Sequence, residues 1–170
     1  GEILEGASRP GHFDGMLTVV ARLFDLVTPD RVIFGAKDAQ QLFLVRQMAA
    51  ADYASLLVQT APTVREASGL AMSSRNRYLS PDNQRLATVL NRTLRTAGAE
   101  LEAGAAASAV LKAHLGQLAT EVPQAKLDYL QLVSAKDFEP VSDDFRGDAI
   151  LLIAAKIGET RLIDNLEVLI

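Results

Sequence analysis

Apolar residues at Phe13, Met16, Leu17, Val20, Leu23, Phe24 and Val27 recur at helical spacing, and Thr28-Pro29-Asp30 ends the run, which predicts a helix over 14–27. A short apolar strand follows at 31–34. Leu42, Val45, Met48 and Ala49 repeat with the same period and predict a helix over 39–51, and Ser55 to Gln59 reads as a second strand. Two strands joined by a crossover helix imply parallel pairing, and ligands on such sheets sit at the carboxyl ends of the strands.

Pro62-Thr63 marks a boundary, because the stretch from there to Leu79 is too rich in polar residues and glycine to form a regular element. Ser80-Pro81 opens a helix, with serine as cap and proline at the first helical position, that runs to about Ala97. An alanine-rich helix covers about 105–119. Strands are expected over about 126–133, 149–157 and 160–168, with Gly158-Glu159 as the turn between the last two. Two helices over an antiparallel sheet make a small α+β domain. The predicted fold class is therefore α/β: a parallel-sheet domain over 1–63, then a small α+β domain with an antiparallel sheet over 64–170.

Composition narrows the class of function. With 49% hydrophobic and 22% charged residues the 170-residue chain is ordinary for a globular protein. No apolar run reaches the roughly 18 residues a membrane span needs, and no signal-peptide profile opens the chain. The absence of cysteine excludes disulfides and thiolate metal sites. These features fit a cytoplasmic protein. A net charge of -4 argues against a general nucleic-acid binder. Between Arg65 and Arg95, however, six arginines (65, 75, 77, 85, 92 and 95) face only Glu66 and Asp82, a local balance that favours an anionic ligand. The alternative is that several of them merely solvate a helix face. The Asn91-Arg92-Thr93 sequon falls in a helical pattern and is read as accidental.

Two segments carry candidate chemistry. In Phe34-Gly35-Ala36-Lys37-Asp38 a strand runs into a glycine turn and a lysine as a helix begins, where helix amides favour anions. Asp38 and Gln41 stand three apart, the spacing of a reciprocal cap, and capping alone would account for both. It does not account for Lys37, a positive charge beside an already positive helix end. In the second segment, Met72-Ser73-Ser74-Arg75-Asn76-Arg77, hydroxyls and cations share a polar loop; taken alone it reads equally as a surface loop whose arginine pairs with a carboxylate. His12 is read as a local structural histidine, His114 as lacking a companion, and Arg161, Asp164 and Asn165 as structural.

The order and wording of these segments resemble the pantothenate synthetase (pantoate-beta-alanine ligase) family of the HIGH/KMSKS nucleotidylyltransferases. The likeness runs from Arg9-Pro10-Gly11-His12-Phe13 through Thr28-Pro29-Asp30, Gly35-Ala36-Lys37-Asp38, Gln40-Gln41, Pro62-Thr63-Val64-Arg65-Glu66-Ala67 and Gly69-Leu70-Ala71-Met72-Ser73-Ser74-Arg75-Asn76-Arg77-Tyr78-Leu79. It continues to Leu127-Asp128-Tyr129-Leu130 and Thr160-Arg161-Leu162-Ile163-Asp164-Asn165. The resemblance implies ATP-dependent joining of pantoate to beta-alanine through a pantoyl-adenylate, in a cytoplasmic homodimer. It implies ATP binding by Gly35, Ala36, Lys37, Asp38, Val64, Met72, Ser73, Ser74 and Arg75, with Lys37, Ser73, Ser74 and Arg75 as the charge-handling catalytic set and Gln41 on pantoate. Val64 would meet adenine through its backbone, and Met72 to Arg75 would be the counterpart of the KMSKS loop.

The resemblance has gaps. The superfamily's HIGH motif pairs two histidines near the N-terminus, whereas this chain has only His12 and His114. The resemblance therefore implies an incomplete, inactive part of a longer enzyme: the C-terminal portion of a Rossmann-like nucleotide-binding domain over 1–63 and a C-terminal α+β lid domain over 64–170, with the magnesium ligands and parts of the pantoate and beta-alanine sites in the remainder. Ala36 stands where the family usually has glutamate, and Ala39 where an aromatic residue is common. Two other readings compete: a different nucleotidylyltransferase, or a non-catalytic interaction module.

Overall fold

The computed structural model describes residues 3–170. The chain forms two compact units, one ending at Thr63 and the other running from Val64 to Ile170.

In the first unit the elements are α1 (Glu5–Ser8), α2 (His12–Val27), β1 (Arg31–Gly35), α3 (Ala39–Asp52) and β2 (Leu57–Ala61). The strands pair in parallel from Arg31 opposite Leu57 to Gly35 opposite Ala61. The second strand thus begins two residues later than the apolar run Ser55 to Gln59 suggests. Leu56 N–H closes a turn on the Tyr53 carbonyl (2.9 Å), and the ladder starts where Leu57 N–H reaches the Asp30 carbonyl (3.0 Å). Helices α2 and α3 are joined by Phe24 and Tyr53, whose rings meet edge to face at 5.2 Å, and by the Tyr53 hydroxyl, which donates to Asp25 Oδ1 at 2.9 Å. That bond, with Asp25's charge, raises the Tyr53 pKa. Gln40, buried, holds the N-terminal segment by accepting from Glu5 N–H and donating to the Ile3 carbonyl.

In the second unit α4 (Pro81–Glu102) and α5 (Ala107–Glu121) cover an antiparallel sheet of β3 (Ala125–Ser134), β4 (Asp148–Ile157) and β5 (Thr160–Leu169), in the order β3-β4-β5. The α/β class with a following α+β domain, read from the periodicities, holds. Leu94, Leu101, Leu132, Leu151, Ile153 and Ile157 are fully buried in the shared core. Ser80 caps α4 by accepting the Asn83 N–H at 3.2 Å, with Pro81 at the first helical position. The helix continues past Ala97 to Glu102 because Gly98 is a packing residue and not a terminator. A Cβ there would stand 2.7 Å from Leu166 Cδ2, so the absent side chain lets α4 lie against β5. Gly158, at a φ of 57°, makes the β4–β5 turn that the sequence suggests. Asn91 of the sequon is buried in α4.

Helix α5 starts without a cap of its own at Ala106. Asp143, from the β3–β4 connection, accepts the Ser108 N–H and hydroxyl, both at 2.7 Å. His114 does have a companion, contrary to the sequence reading: its Nε2 lies 3.2 Å from Glu100 Oε1, joining α5 to α4. The two residues are 14 positions apart on different helices, a proximity that single-helix spacing does not reveal.

Candidate active site

Strand β1 delivers Gly35 to its carboxyl end, and a single 3-10 turn, Ala36–Asp38, leads into α3. Gly35 makes no left-handed turn. Its backbone is extended (φ -76°, ψ 134°), and no atom lies within 4 Å of where a Cβ would stand, so the glycine leaves open space at the strand end. Lys37 is mostly buried, its side chain 16% exposed, with Nζ 3.4 Å from Asp38 Oδ1. The expected reciprocal cap is absent. Asp38 occupies the cap position of α3 at φ -96°, ψ 61°, yet its side chain accepts no capping bond; the intervening 3-10 turn directs its carboxylate to Lys37 instead. The side chain of Gln41, half-buried on the first turn of α3, has no hydrogen-bond partner among the described residues. Ala36 and Ala39 are half-buried and buried.

The polar segment after Thr63 is more ordered than its composition suggests. Arg65 and Ala71 form an antiparallel bridge, Glu66 N–H reaches the Leu70 carbonyl and Met72 N–H the Val64 carbonyl, each at 2.9 Å. A 3-10 helix, Ser74–Tyr78, follows; Ser73 Oγ accepts the Arg75 N–H at 3.2 Å and so caps it. Ser74 and Arg75 are exposed at its start. Val64 and Met72 are exposed side by side through their backbone bond.

The arginines of this stretch sort into two groups. Arg65 pairs with Asp164, Arg85 with Asp82, Arg92 with Glu121, and Arg77 donates to the Tyr78 hydroxyl. These are the structural and surface roles that composition alone permitted. Among the described residues, the guanidinium of Arg75 has no partner, nor does that of Arg95 on α4. Arg161 ties β5 to β3 through Asp128 Oδ2 at 2.6 Å, and Asp164 is buried on Arg65, in keeping with a structural part for both. His12 faces Arg9 Nη1 at 2.8 Å and packs on Phe13.

Among the described residues no group of three or more histidine or carboxylate side chains is arranged to hold a metal ion. No described helix is long and apolar enough to cross a membrane.

A parallel strand pair joined by a crossover helix, followed by an antiparallel sheet covered by two helices, defines the α/β class. The chain belongs to the pantoate-beta-alanine ligase family, whose model matches residues 1–167. It is 49% identical over 160 residues to pantothenate synthetase of Pelotomaculum thermopropionicum, covering 94% of this chain and 56% of that protein. The crystal structure of pantothenate synthetase from Thermus thermophilus superposes with a TM-score of 0.92 at 46% identity, over 99% of this chain and 60% of that one. A pantoate-beta-alanine ligase from Francisella tularensis, solved in complex with beta-gamma ATP and beta-alanine, matches with a TM-score of 0.68 at 32% identity, over 97% of this chain and 54% of its own. The chain spans little more than half the length of these relatives.

Proposed function

We propose that this chain serves the ATP-dependent joining of pantoate to beta-alanine, a step toward coenzyme A. In the first half-reaction a pantoate carboxylate oxygen attacks the α-phosphorus of ATP. The bond to the β-phosphate oxygen breaks, and pyrophosphate leaves with the bonding pair. In the second, the amine nitrogen of beta-alanine attacks the acyl carbon, AMP departs, and the nitrogen gives up its proton. Adenylation is needed because oxide is a poor leaving group from a carboxylate, whereas AMP is a good one.

In this reading Gly35, Ala36, Lys37 and Asp38 bind ATP, with the Lys37 ammonium on phosphate oxygens and the open space at Gly35 admitting the nucleotide. Ser73, Ser74 and Arg75 stabilise charge as pyrophosphate leaves; fixed donors of this kind account for several kcal/mol of barrier lowering. Val64 meets adenine through its backbone, Met72 belongs to the ATP-binding loop with Ser73, Ser74 and Arg75, and Gln41 receives pantoate. These residues bind and orient; none is a nucleophile. The protein acts in the cytoplasm as a homodimer, with magnesium accompanying ATP. The paired histidines of the superfamily motif are not among these residues, and we propose no turnover by the 170-residue chain alone; detectable pantothenate formation by it would contradict this.

The observation that carries the reading is Arg75: exposed at the head of a capped turn beside Ser73 and Ser74 and without a partner among the described residues, while Arg65, Arg77, Arg85 and Arg92 are engaged and Arg95, also unengaged, stands on α4 away from any such turn. Titration of magnesium pyrophosphate into the chain and into Arg75→Ala tests it. Binding that is weakened in the variant supports the assignment, whereas equal binding by both, or none by either, overturns it.

A further inference from the structure

The turn that carries Ser73, Ser74 and Arg75 is capped by the Ser73 hydroxyl and fastened to the rest of the unit by the Asn76 side chain. Asn76 is buried, and its amide nitrogen donates to Glu66 Oε1 at 2.9 Å and to the Ala71 carbonyl at 3.1 Å. Both partners are acceptors, which fixes the orientation of the carboxamide: rotated by half a turn, its oxygen would face a carboxylate and a carbonyl. Among the described residues Asn76 Oδ1 is consequently buried without a partner, an arrangement that costs stability and persists only if the amide is held from its other side. The Asn76 backbone completes the turn, with its N–H on the Ser73 carbonyl at 3.0 Å and its carbonyl accepting the Leu79 N–H at 3.1 Å.

The other end of the fastening is also anchored. Glu66 lies in the bridged segment beside Arg65, whose guanidinium binds Asp164 on β5 by two bonds and the Gly69 carbonyl by a third. A continuous chain of contacts thus runs from β5 through Asp164, Arg65 and the 64–72 segment to Glu66, then through Asn76 to the turn bearing Arg75.

We propose that Asn76 and Glu66 are positioning residues that hold Ser73, Ser74 and Arg75 in the geometry that receives the pyrophosphate group. The proposal rests on the pyrophosphate role of Arg75 proposed above. Arg75 has no partner among the described residues, so the backbone on which it stands sets where its side chain starts and the region its guanidinium can reach. That backbone is fixed on one side by the Ser73 cap and on the other by Asn76.

The test uses the whole 170-residue chain with magnesium pyrophosphate as probe, and compares Asn76→Asp, Glu66→Ala, Glu66→Gln and Arg75→Ala. Asn76→Asp keeps the size of the side chain but sets a carboxylate against Glu66; Glu66→Gln keeps an acceptor for Asn76. Asn76→Asp and Glu66→Ala are expected to weaken binding about tenfold, with Glu66→Gln restoring it to within about twofold. Parental affinity in Asn76→Asp and Glu66→Ala, with affinity lost in Arg75→Ala, overturns the positioning role and leaves the pyrophosphate assignment standing. If the parent chain binds no pyrophosphate, that assignment falls first, and amide hydrogen exchange decides the fastening. The Arg75 N–H should then exchange about tenfold faster in Asn76→Asp while β3–β5 protection is unchanged, and an unchanged rate overturns it.

Discussion

Arg65 and Asp164, 99 positions apart, meet in a two-pronged ion pair, Nη1 to Oδ2 at 2.7 Å and Nη2 to Oδ1 at 3.0 Å. The carboxylate is 3% exposed, so removing its partner leaves a buried charge uncompensated. Arg65→Ala should therefore destabilise the second unit by about 3 kcal/mol in urea unfolding. A loss below about 0.5 kcal/mol, the size of a surface substitution, would show that the pair is solvated in solution.

Gly98 lies inside α4, where glycine ordinarily costs about 1 kcal/mol relative to alanine. The close approach of Leu166 and Val168 makes the small residue necessary. Gly98→Leu should lower stability by about 1–3 kcal/mol through overpacking against β5, although leucine is the better helix former. A rise in melting temperature would mean that α4 has room to move off the sheet.

Asp143 substitutes for the missing cap of α5, and the Ser108 N–H, followed by its hydroxyl, holds the carboxyl below the usual carboxylate range. Its folded pKa lies below the unfolded value, so its stabilising contribution is fully present above the unfolded value of about 3.9 and is lost as pH falls through the folded value. Asp143→Ala should melt at a lower temperature than the parent at about pH 7, with the gap closing below about pH 4. A gap that does not change with pH would assign the effect to packing.

Local chemistry was the legible part of the sequence. The helical period in α2 and α3, the serine and proline opening α4, and the Gly158 turn all depend on neighbours within a few positions. Long-range contacts were not legible. Nothing near His114 announces Glu100, nothing near Arg65 announces Asp164, and Ala106 gives no hint that Asp143 caps its helix. The Asp38–Gln41 spacing misled for a local reason, since the 3-10 turn before α3 rotates the carboxylate toward Lys37. At the candidate site, the residue types were visible in the sequence, but the unengaged guanidinium of Arg75 and the burial of Asn76 required the fold.

Lys37 is the most direct point at which to test the account, because its mostly buried side chain, paired with Asp38, stands at the end of β1 where its ammonium would also meet a phosphate. Magnesium-ATP titrated by calorimetry into the chain and into Lys37→Ala should give binding in the first that is weakened at least about tenfold in the second, the loss expected for a hydrogen bond to a charged group. Equal affinity in both would contradict the phosphate role of Lys37 and, with it, the central claim that this strand end handles ATP.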